Sequence, residues 1–234
     1  MSDPDDAPRG YASPPCLAHE LDPAWFDPLG VDPRQAHDVA RWRRAERARL
    51  LAARRALSVA ERERITQALA GHLSRLLAER FGALEGRVIS GYWPIRGEPD
   101  LRPLMTEWLR AGAIVALPVV EEKAAPLVFR RWTPGMRMLR GDWNIPVPPP
   151  EAERLLPQIA LAPLVGWAID EGGSCWRLGH GGGYFDRTLA ALSPRPFTIG
   201  VGLAAARLAT IYPQPHDVPL NAIVTEAGIE GGMP

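Results

Sequence analysis

The sequence predicts a single α/β domain in three layers, with helices on both faces of a central, mostly parallel sheet. Beyond Gly86, strand-like and helix-like segments alternate along the chain, which is typical of a sheet covered on both faces. Residues 159–165 are apolar throughout, as expected of a central parallel strand. With 234 residues, of which 46% are apolar and 23% charged, the chain can bury a sizeable core.

Two helices are predicted before the sheet. Residues 35–56 are rich in Ala and Arg and contain neither Gly nor Pro, which favours a helix. Ser58 and Glu61 have the spacing of a capping box and would open a second helix. Leu69, Leu73 and Leu77 recur at helical spacing along it and predict an apolar stripe. We therefore expect an Arg-rich N-terminal helical pair.

The remaining elements follow from shorter patterns. Asp100 is a candidate N-cap for a helix over residues 101–111, and a further helix is expected at 184–192. The prolines of residues 143–150 predict an extended connection. Strands are predicted at 87–93, 113–119, 127–132, 159–165, 197–203 and, as the last one, 222–225.

Residues 1–35 differ in composition from the rest. Frequent prolines interrupt any periodic pattern there, yet Leu21, Trp25, Phe26 and Leu29 form an apolar cluster. We predict a Pro-rich extension over residues 1–35, partly ordered because this cluster packs on the body of the protein, and one α/β domain over residues 36–230.

Composition excludes several functional classes. The 27 basic and 27 acidic side chains cancel, which argues against a dedicated nucleic-acid binder. The two cysteines are too few for a disulfide framework. No apolar run approaches a membrane span, and the acidic start is unlike a signal peptide. We expect a monomer in the cytoplasm, with neither a nucleic-acid nor a membrane partner.

Residues 177–187, RLGHGGGYFDR, carry the clearest chemical pattern. Four glycines and the N-terminus of the following helix would present backbone amides to a phosphate group, and Arg177 would add a charge. Asp186 can hold Mg²⁺ there, while Tyr184 and Phe185 can stack on a flat ligand. The loop lacks the Lys-Ser/Thr ending of a Walker A motif. The alternative is a flexible turn in which Asp186 only caps the helix.

Two further segments are candidates. The first helix carries Arg43, Arg44, Arg47, Arg54 and Arg55 on neighbouring turns, with Arg43 and Arg47 four residues apart on one face. Such a face can clamp phosphate, although a solvated charged face is the simpler explanation. After the strand at 87–93, Glu98 can accept hydrogen bonds from pterin-like N–H groups and Trp93 can supply a stacking wall. The alternative makes Glu98 a solvated turn residue and Trp93 a core aromatic. Asp217 by itself suggests only a turn.

Taken together, these segments resemble the 5-formyltetrahydrofolate cyclo-ligase family over residues 40–226. The strongest motif is RLGHGGGYFDR. The supporting motifs, in chain order, are the Arg-rich helix ending in Leu57-Ser58, YWPIRGEPD at 92–100, WNIP at 143–146, HDVP at 216–219 and VTE at 224–226.

The resemblance implies an ATP- and Mg²⁺-dependent ligase that cyclises 5-formyltetrahydrofolate to 5,10-methenyltetrahydrofolate, on a fold of the sugar-phosphate isomerase and CoA-transferase group. In that family the formyl oxygen is phosphorylated by ATP, N10 then attacks, and ADP and phosphate are released. Asp186 and Asp217 would hold Mg²⁺. Arg177, Tyr184 and Asp186 would be catalytic. The ATP-binding residues implied are Arg43, Arg44, Arg47, Arg177, Gly179, His180, Gly181, Gly182, Gly183, Tyr184 and Phe185. The folate-binding residues implied are Trp93, Glu98, Trp143, His180 and Tyr184.

This chain departs from the family pattern at four positions. Arg43 stands where Lys is common, His180 where Tyr or Arg is more usual, Phe185 where a second Tyr is frequent, and Asn221 where an acid is often seen. The sequence leaves two alternative functions open: a non-catalytic module that binds folate or RNA, and an ATP-dependent ligase for another formylated or carboxylated small molecule.

Overall fold

The computed structural model describes residues 33–231, so the predicted docking of the N-terminal extension lies outside the described residues. Two long helices come first, α1 (Pro33–Ala56) and α2 (Val59–Phe81). The capping box is present as predicted, with Ser58 Oγ accepting from the Glu61 amide. Two shorter helices follow, α3 (Arg102–Arg110) and α4 (Tyr184–Ala191).

Twelve strands are found among the described residues. In chain order they are β1 (Val88–Ser90), β2 (Ile114–Val119), β3 (Val128–Arg131), β4 (Leu139–Arg140), β5 (Pro146–Val147), β6 (Arg154–Leu155), β7 (Ile159–Pro163), β8 (Gly166–Ile169), β9 (Cys175–Leu178), β10 (Phe197–Val201), β11 (Ala222–Thr225) and β12 (Gly228–Glu230).

Eight of these strands form the central sheet, in the order β12-β11-β10-β7-β1-β2-β3-β6. The five inner strands from β11 to β2 pair in parallel, and both edges are antiparallel. Strand β7 lies between two parallel neighbours, as its apolar sequence predicts. The chain therefore has the mixed α/β fold with a large central sheet that the sequence predicts.

The core lies on both faces of the sheet. Leu161 packs in one apolar cluster with the buried leucines of α2, and the next residue, Ala162, packs in a second cluster with Leu50 of α1. Consecutive strand residues point to opposite faces, so α2 and α1 cover opposite sides. Arg54 of α1 donates to the carbonyl of Leu164, which directly follows β7, so α1 lies beside the carboxyl ends of the parallel strands.

Local details differ from the sequence predictions. Leu101, and not Asp100, is the N-cap of α3, although Asp100 Oδ1 accepts from the Arg102 amide. Residues 222–225 are not the last strand, because β12 turns back on β11. The connection at 143–150 is not extended throughout, since a 3-10 turn spans Asp142–Asn144.

Candidate active site

A cavity of about 710 Å³ opens at the carboxyl edge of the parallel strands. Tyr92 and Trp93 follow β1, Val120 follows β2 and Pro163 ends β7, and all four line it. Ligands of open α/β sheets bind at this edge, and the volume is typical of small-molecule sites.

The cavity collects fifteen of the sixteen residues that the sequence analysis singles out. Arg44 is the exception, because it is exposed on α1 and does not line the cavity. Asn221 also lies outside the lining, where its side chain accepts from the Thr198 amide and joins β11 to β10. The fifteen lining residues are Arg43, Arg47, Trp93, Glu98, Trp143, Arg177, Gly179, His180, Gly181, Gly182, Gly183, Tyr184, Phe185, Asp186 and Asp217.

Residues 179–183 are here called the glycine loop, and its glycines are required for two different reasons. Gly181 and Gly183 have φ of 103° and 64°, a left-handed conformation that other residues rarely adopt. Gly183 is also the N-cap of α4, where the helix amides begin. At Gly179 a Cβ atom would overlap the guanidinium of Arg177. The loop therefore passes close over Arg177, at the N-terminal end of a helix.

Arg47 and Arg177 supply positive charge beneath this loop. Arg47 Nε donates to the Gly179 carbonyl at 2.7 Å, and burial, followed by the nearby charge of Arg43, lowers the pKa of Arg47. Arg177 lies over the Phe185 ring, and its buried Nε has no hydrogen-bond partner within residues 33–231. Crowded, incompletely paired guanidinium groups favour an anionic ligand.

Asp186 does not act as a helix cap. Its Oδ2 accepts from Arg177 Nη2 at 2.8 Å, and its Oδ1 has only a long contact, 3.5 Å, with the Val218 amide. A carboxylate at the first turn of α4 is stabilised by the helix dipole. One carboxylate oxygen of Asp186 is therefore held in an ion pair with Arg177, while the other has only a weak contact.

Glu98 lies at another part of the wall and is buried, with 2% of its side chain exposed. Its Oε2 accepts from the Ile95 amide at 3.0 Å, and its Oε1 lies 2.8 Å from His180 Nε2. His180 Nδ1 is buried without a partner in the described part of the chain. The view of Glu98 as a solvated turn residue is therefore wrong, and the glycine loop reaches it through His180.

Trp143 stands at the tip of the β4–β5 hairpin and is 63% exposed. Its ring meets the Tyr184 ring edge-on, with centroids 5.5 Å apart. Trp143 and Asn144 both have positive φ, 53° and 60°. The hairpin thus presents an aromatic face beside the loop, where a flat ligand can stack.

Sequence reasoning included Arg54 in the Arg-rich helix face but did not assign it to the site. Arg54 is buried and lies 3.9 Å from Glu98, whereas Arg55 is exposed. Arg43, Arg47, Leu50 and Arg54 recur at helical spacing, and that periodicity was the available signal. Arg43 and Arg54 are buried, so the interpretation of this helix face as solvated is wrong for them.

Comparison with known proteins gives a consistent result. A model of the 5-formyltetrahydrofolate cyclo-ligase family matches residues 39–226. The 5-formyltetrahydrofolate cyclo-ligase of Mycolicibacterium smegmatis is 33% identical over 187 residues, which cover 76% of this chain and 91% of that protein. The protein of the same name from Escherichia coli K12 is 32% identical, over 57% of this chain and 74% of its own.

Solved structures agree in fold. The 5,10-methenyltetrahydrofolate synthetase of Aquifex aeolicus superposes with a TM-score of 0.67 at 27% identity, covering 82% of this chain and 93% of that one. The corresponding enzyme of Mycoplasma pneumoniae gives a TM-score of 0.61 at 24% identity, over 79% of this chain and 98% of that one, which bears on the fold alone.

Proposed function

The chain belongs to the 5-formyltetrahydrofolate cyclo-ligase family, and we propose that the cavity at the carboxyl edge of the sheet is its active site. The chain is accordingly a ligase that cyclises 5-formyltetrahydrofolate to 5,10-methenyltetrahydrofolate in an ATP-dependent reaction. One observation supports this assignment of the site: the same cavity is lined by the glycine loop, by the cationic side chains of Arg47 and Arg177, and by the buried Glu98.

In the reaction, the formyl oxygen attacks the terminal phosphorus of ATP and ADP leaves. N10 of the same folate then bonds to the activated formyl carbon, the carbon–oxygen bond breaks, and phosphate departs with that oxygen. N10 loses its proton, so ADP, phosphate and the methenyl product balance the substrates. No covalent protein nucleophile is needed, and no Ser, Thr or Cys lines the cavity among the described residues. The protein would therefore catalyse the reaction by placing the two substrates together and stabilising the charge of the phosphoryl group during its transfer.

The triphosphate would lie against the glycine loop. Backbone amides of residues 179–183 and the N-terminus of α4 would present partial positive charge to it. Arg47 and Arg177 would neutralise charge that develops on the transferred phosphoryl group. Arg43 and Arg44 are weaker candidates, because Arg43 is paired with Asp217 and Arg44 is exposed away from the cavity.

The folate would lie between Glu98 and Trp143. A pterin presents adjacent N–H donors, and a fixed carboxylate is the complementary acceptor. Trp93 and Trp143 line the same cavity and offer stacking faces. His180 and Tyr184 contact Glu98 and Trp143, so the glycine loop would hold the two substrates next to each other.

The carboxylates of the cavity fit a Mg²⁺ ion only if the phosphates of ATP supply most of its ligands. Residues 33–231 contain no group of three or more His, Cys, Asp or Glu side chains suited to a metal. Mg²⁺ commonly takes one or two carboxylates together with substrate phosphates, and Asp186 has one weakly held oxygen. Asp186 would hold the ion, joined by Asp217 where Arg43 releases it. When bound, the ion would neutralise phosphate charge.

Other expectations stay proposals: a monomer, a cytoplasmic location, membership of the sugar-phosphate isomerase and CoA-transferase fold group, and domain limits at residues 36 and 230. None of the helices in the described range is long and apolar enough to cross a membrane.

The activity test mixes the full chain with 5-formyltetrahydrofolate, ATP and Mg²⁺ and follows the absorbance of the methenyl product alongside ADP. We expect the two products in equal amounts. ADP without methenyl product would point to another substrate. Salt-dependent RNA binding without turnover would favour a binding module instead.

A further inference from the structure

Arg54 is a buried cation on α1, whereas Arg55, the next residue, is exposed. Only 4% of the Arg54 side chain is exposed, and it does not line the cavity. Burial lowers the pKa of Arg54, and the negative charge of Glu98 acts in the opposite direction. An arginine is seldom buried without a partner that stabilises its charge. Its contacts therefore indicate what it does.

Two of these contacts hold the backbone. Arg54 Nε donates to the Arg96 carbonyl at 3.1 Å, and Nη1 donates to the Leu164 carbonyl at 3.0 Å. Arg96 belongs to the loop after β1, and Leu164 directly follows β7. One guanidinium thus ties α1 to the carboxyl ends of two neighbouring parallel strands.

The loop that Arg54 holds is the one that aims Glu98. Arg96 and Gly97 have φ of 49° and 78°, so the chain makes a left-handed turn immediately before Glu98. For a residue such as Arg96 this conformation is unfavourable and persists because surrounding contacts fix it. The bond from Arg54 to the Arg96 carbonyl is such a contact.

The third contact is with the carboxylate itself. Arg54 Nη2 lies 3.9 Å from Glu98 Oε1 and has no hydrogen-bond partner in residues 33–231. The other basic group beside Glu98 is His180, which is a cation only when protonated. Arg54 is therefore a permanent positive charge beside the buried Glu98 side chain, held within 4 Å of it by its own backbone contacts.

We propose that Arg54 is a positioning residue, which holds the Glu98 side chain in place and thereby sets the affinity for the folate. This inference rests on the proposed function, because it assumes that Glu98 binds the pterin. Arg54 would act without touching either substrate. Since Glu98 would contact the folate and not ATP, a loss of Arg54 should affect the binding of the folate selectively.

The experiment measures the KM of each substrate, kcat, and the Kd for 5-formyltetrahydrofolate without ATP. We expect Arg54→Met to raise the Kd and KM for the folate about tenfold or more and to change the KM for ATP less than about twofold. Arg55→Met is the matched control, because Arg55 is exposed on the next position of α1, and it should behave as wild type.

Arg54→Lys decides the matter if Arg54→Met does not fold. Lysine restores the charge but lacks the planar fork that holds two carbonyls, so we expect a rise of roughly threefold or more in the folate Kd. Wild-type folate affinity in this variant would overturn the proposal. An equal loss of affinity for both substrates in Arg54→Met would also overturn it, since that indicates a merely structural role.

Glu98→Gln separates this inference from the proposed function. If Glu98→Gln leaves the folate Kd unchanged, the assignment of Glu98 to the pterin fails. If Glu98→Gln weakens the folate and Arg54→Met does not, only the role of Arg54 fails. Because Arg54 acts through Glu98, the double variant should bind folate no more weakly than Glu98→Gln alone.

Discussion

The carboxylate of Asp217 and the guanidinium of Arg43 form a two-point ion pair at the cavity wall, with Nη1–Oδ1 3.2 Å and Nη2–Oδ2 2.5 Å apart. The side chains are only 9% and 7% exposed. Arg43 also donates to the carbonyls of Ile211 and Tyr212, and Asp217 accepts from the Gln214 amide. The pair therefore fastens the loop before β11 to α1.

This pair should stabilise the fold measurably. Removing one partner of a buried ion pair leaves the other charge uncompensated, so Arg43→Met and Asp217→Asn should each lower the free energy of unfolding by about 3 kcal/mol. The double variant should lose less than the sum, since neither charge is then left alone. Urea unfolding measures all three. Arg44→Met, at the exposed neighbour, should stay within about 0.5 kcal/mol of wild type. If the loss in the double variant equals the sum of the two single losses, Arg43 and Asp217 do not stabilise the fold as a pair.

Asp186 offers a separate test of the metal proposal. Asp186→Asn keeps the shape of the side chain and removes the charge, so we expect kcat to fall about 100-fold or more. The Mg²⁺ concentration for half-maximal activity should rise, and calorimetry should show Mg²⁺ adding less to ATP affinity than in wild type. Glu63→Gln, on the exposed face of α2, is the control. An unchanged Mg²⁺ requirement in Asp186→Asn would place the ion elsewhere.

The glycine loop and the parallel core could be predicted because their signals are local. The apolar run of residues 159–163 and the clustered glycines of residues 179–183 need no knowledge of distant contacts. The β8–β9 hairpin was missed, although Gly172-Gly173 between two short apolar runs is a turn signal. Its strands pair with each other outside the central sheet, so the α/β alternation did not indicate them.

The environment of individual charges could not be predicted in the same way. Arg43 and Arg44 are adjacent in sequence, yet the first is buried and the second exposed. The difference depends on which face of α1 packs toward the loop at residues 211–217 and the turn at Leu164, both far along the chain. For the same reason, the pairing of Asp217 with Arg43 was not visible when both were considered as independent ligands.

An alanine at Gly179 should disturb ATP binding by moving the Arg177 side chain. An alanine Cβ would overlap the Arg177 guanidinium, so Gly179→Ala must displace the cation proposed to bind phosphate. We expect the KM for ATP to rise about tenfold or more, with a smaller effect on the folate Kd.

Gly71→Ala is the control for this change. Gly71 lies in α2 with no atom within 4 Å of the added Cβ, so alanine should be neutral or slightly stabilising there. A Gly179→Ala enzyme with wild-type ATP kinetics would show that Arg177 does not bind the nucleotide from its present position.

The stability of the fold should decline in alkali for an identifiable reason. Burial, and to a lesser extent Asp170, raises the pKa of Cys175 from 9.0 to about 11. Between these pH values the unfolded chain loses the thiol proton and the native chain keeps it, so stability falls as the pH rises through this window. Burial and Glu98 also raise the pKa of Tyr92, which adds a decline in the same direction above pH 10. Urea unfolding at pH 8, 9, 10 and 11 measures the slope. In Cys175→Ala, the free energy of unfolding should no longer decline between pH 9 and 10. An unchanged slope in that range would show that the thiol is not responsible for the decline.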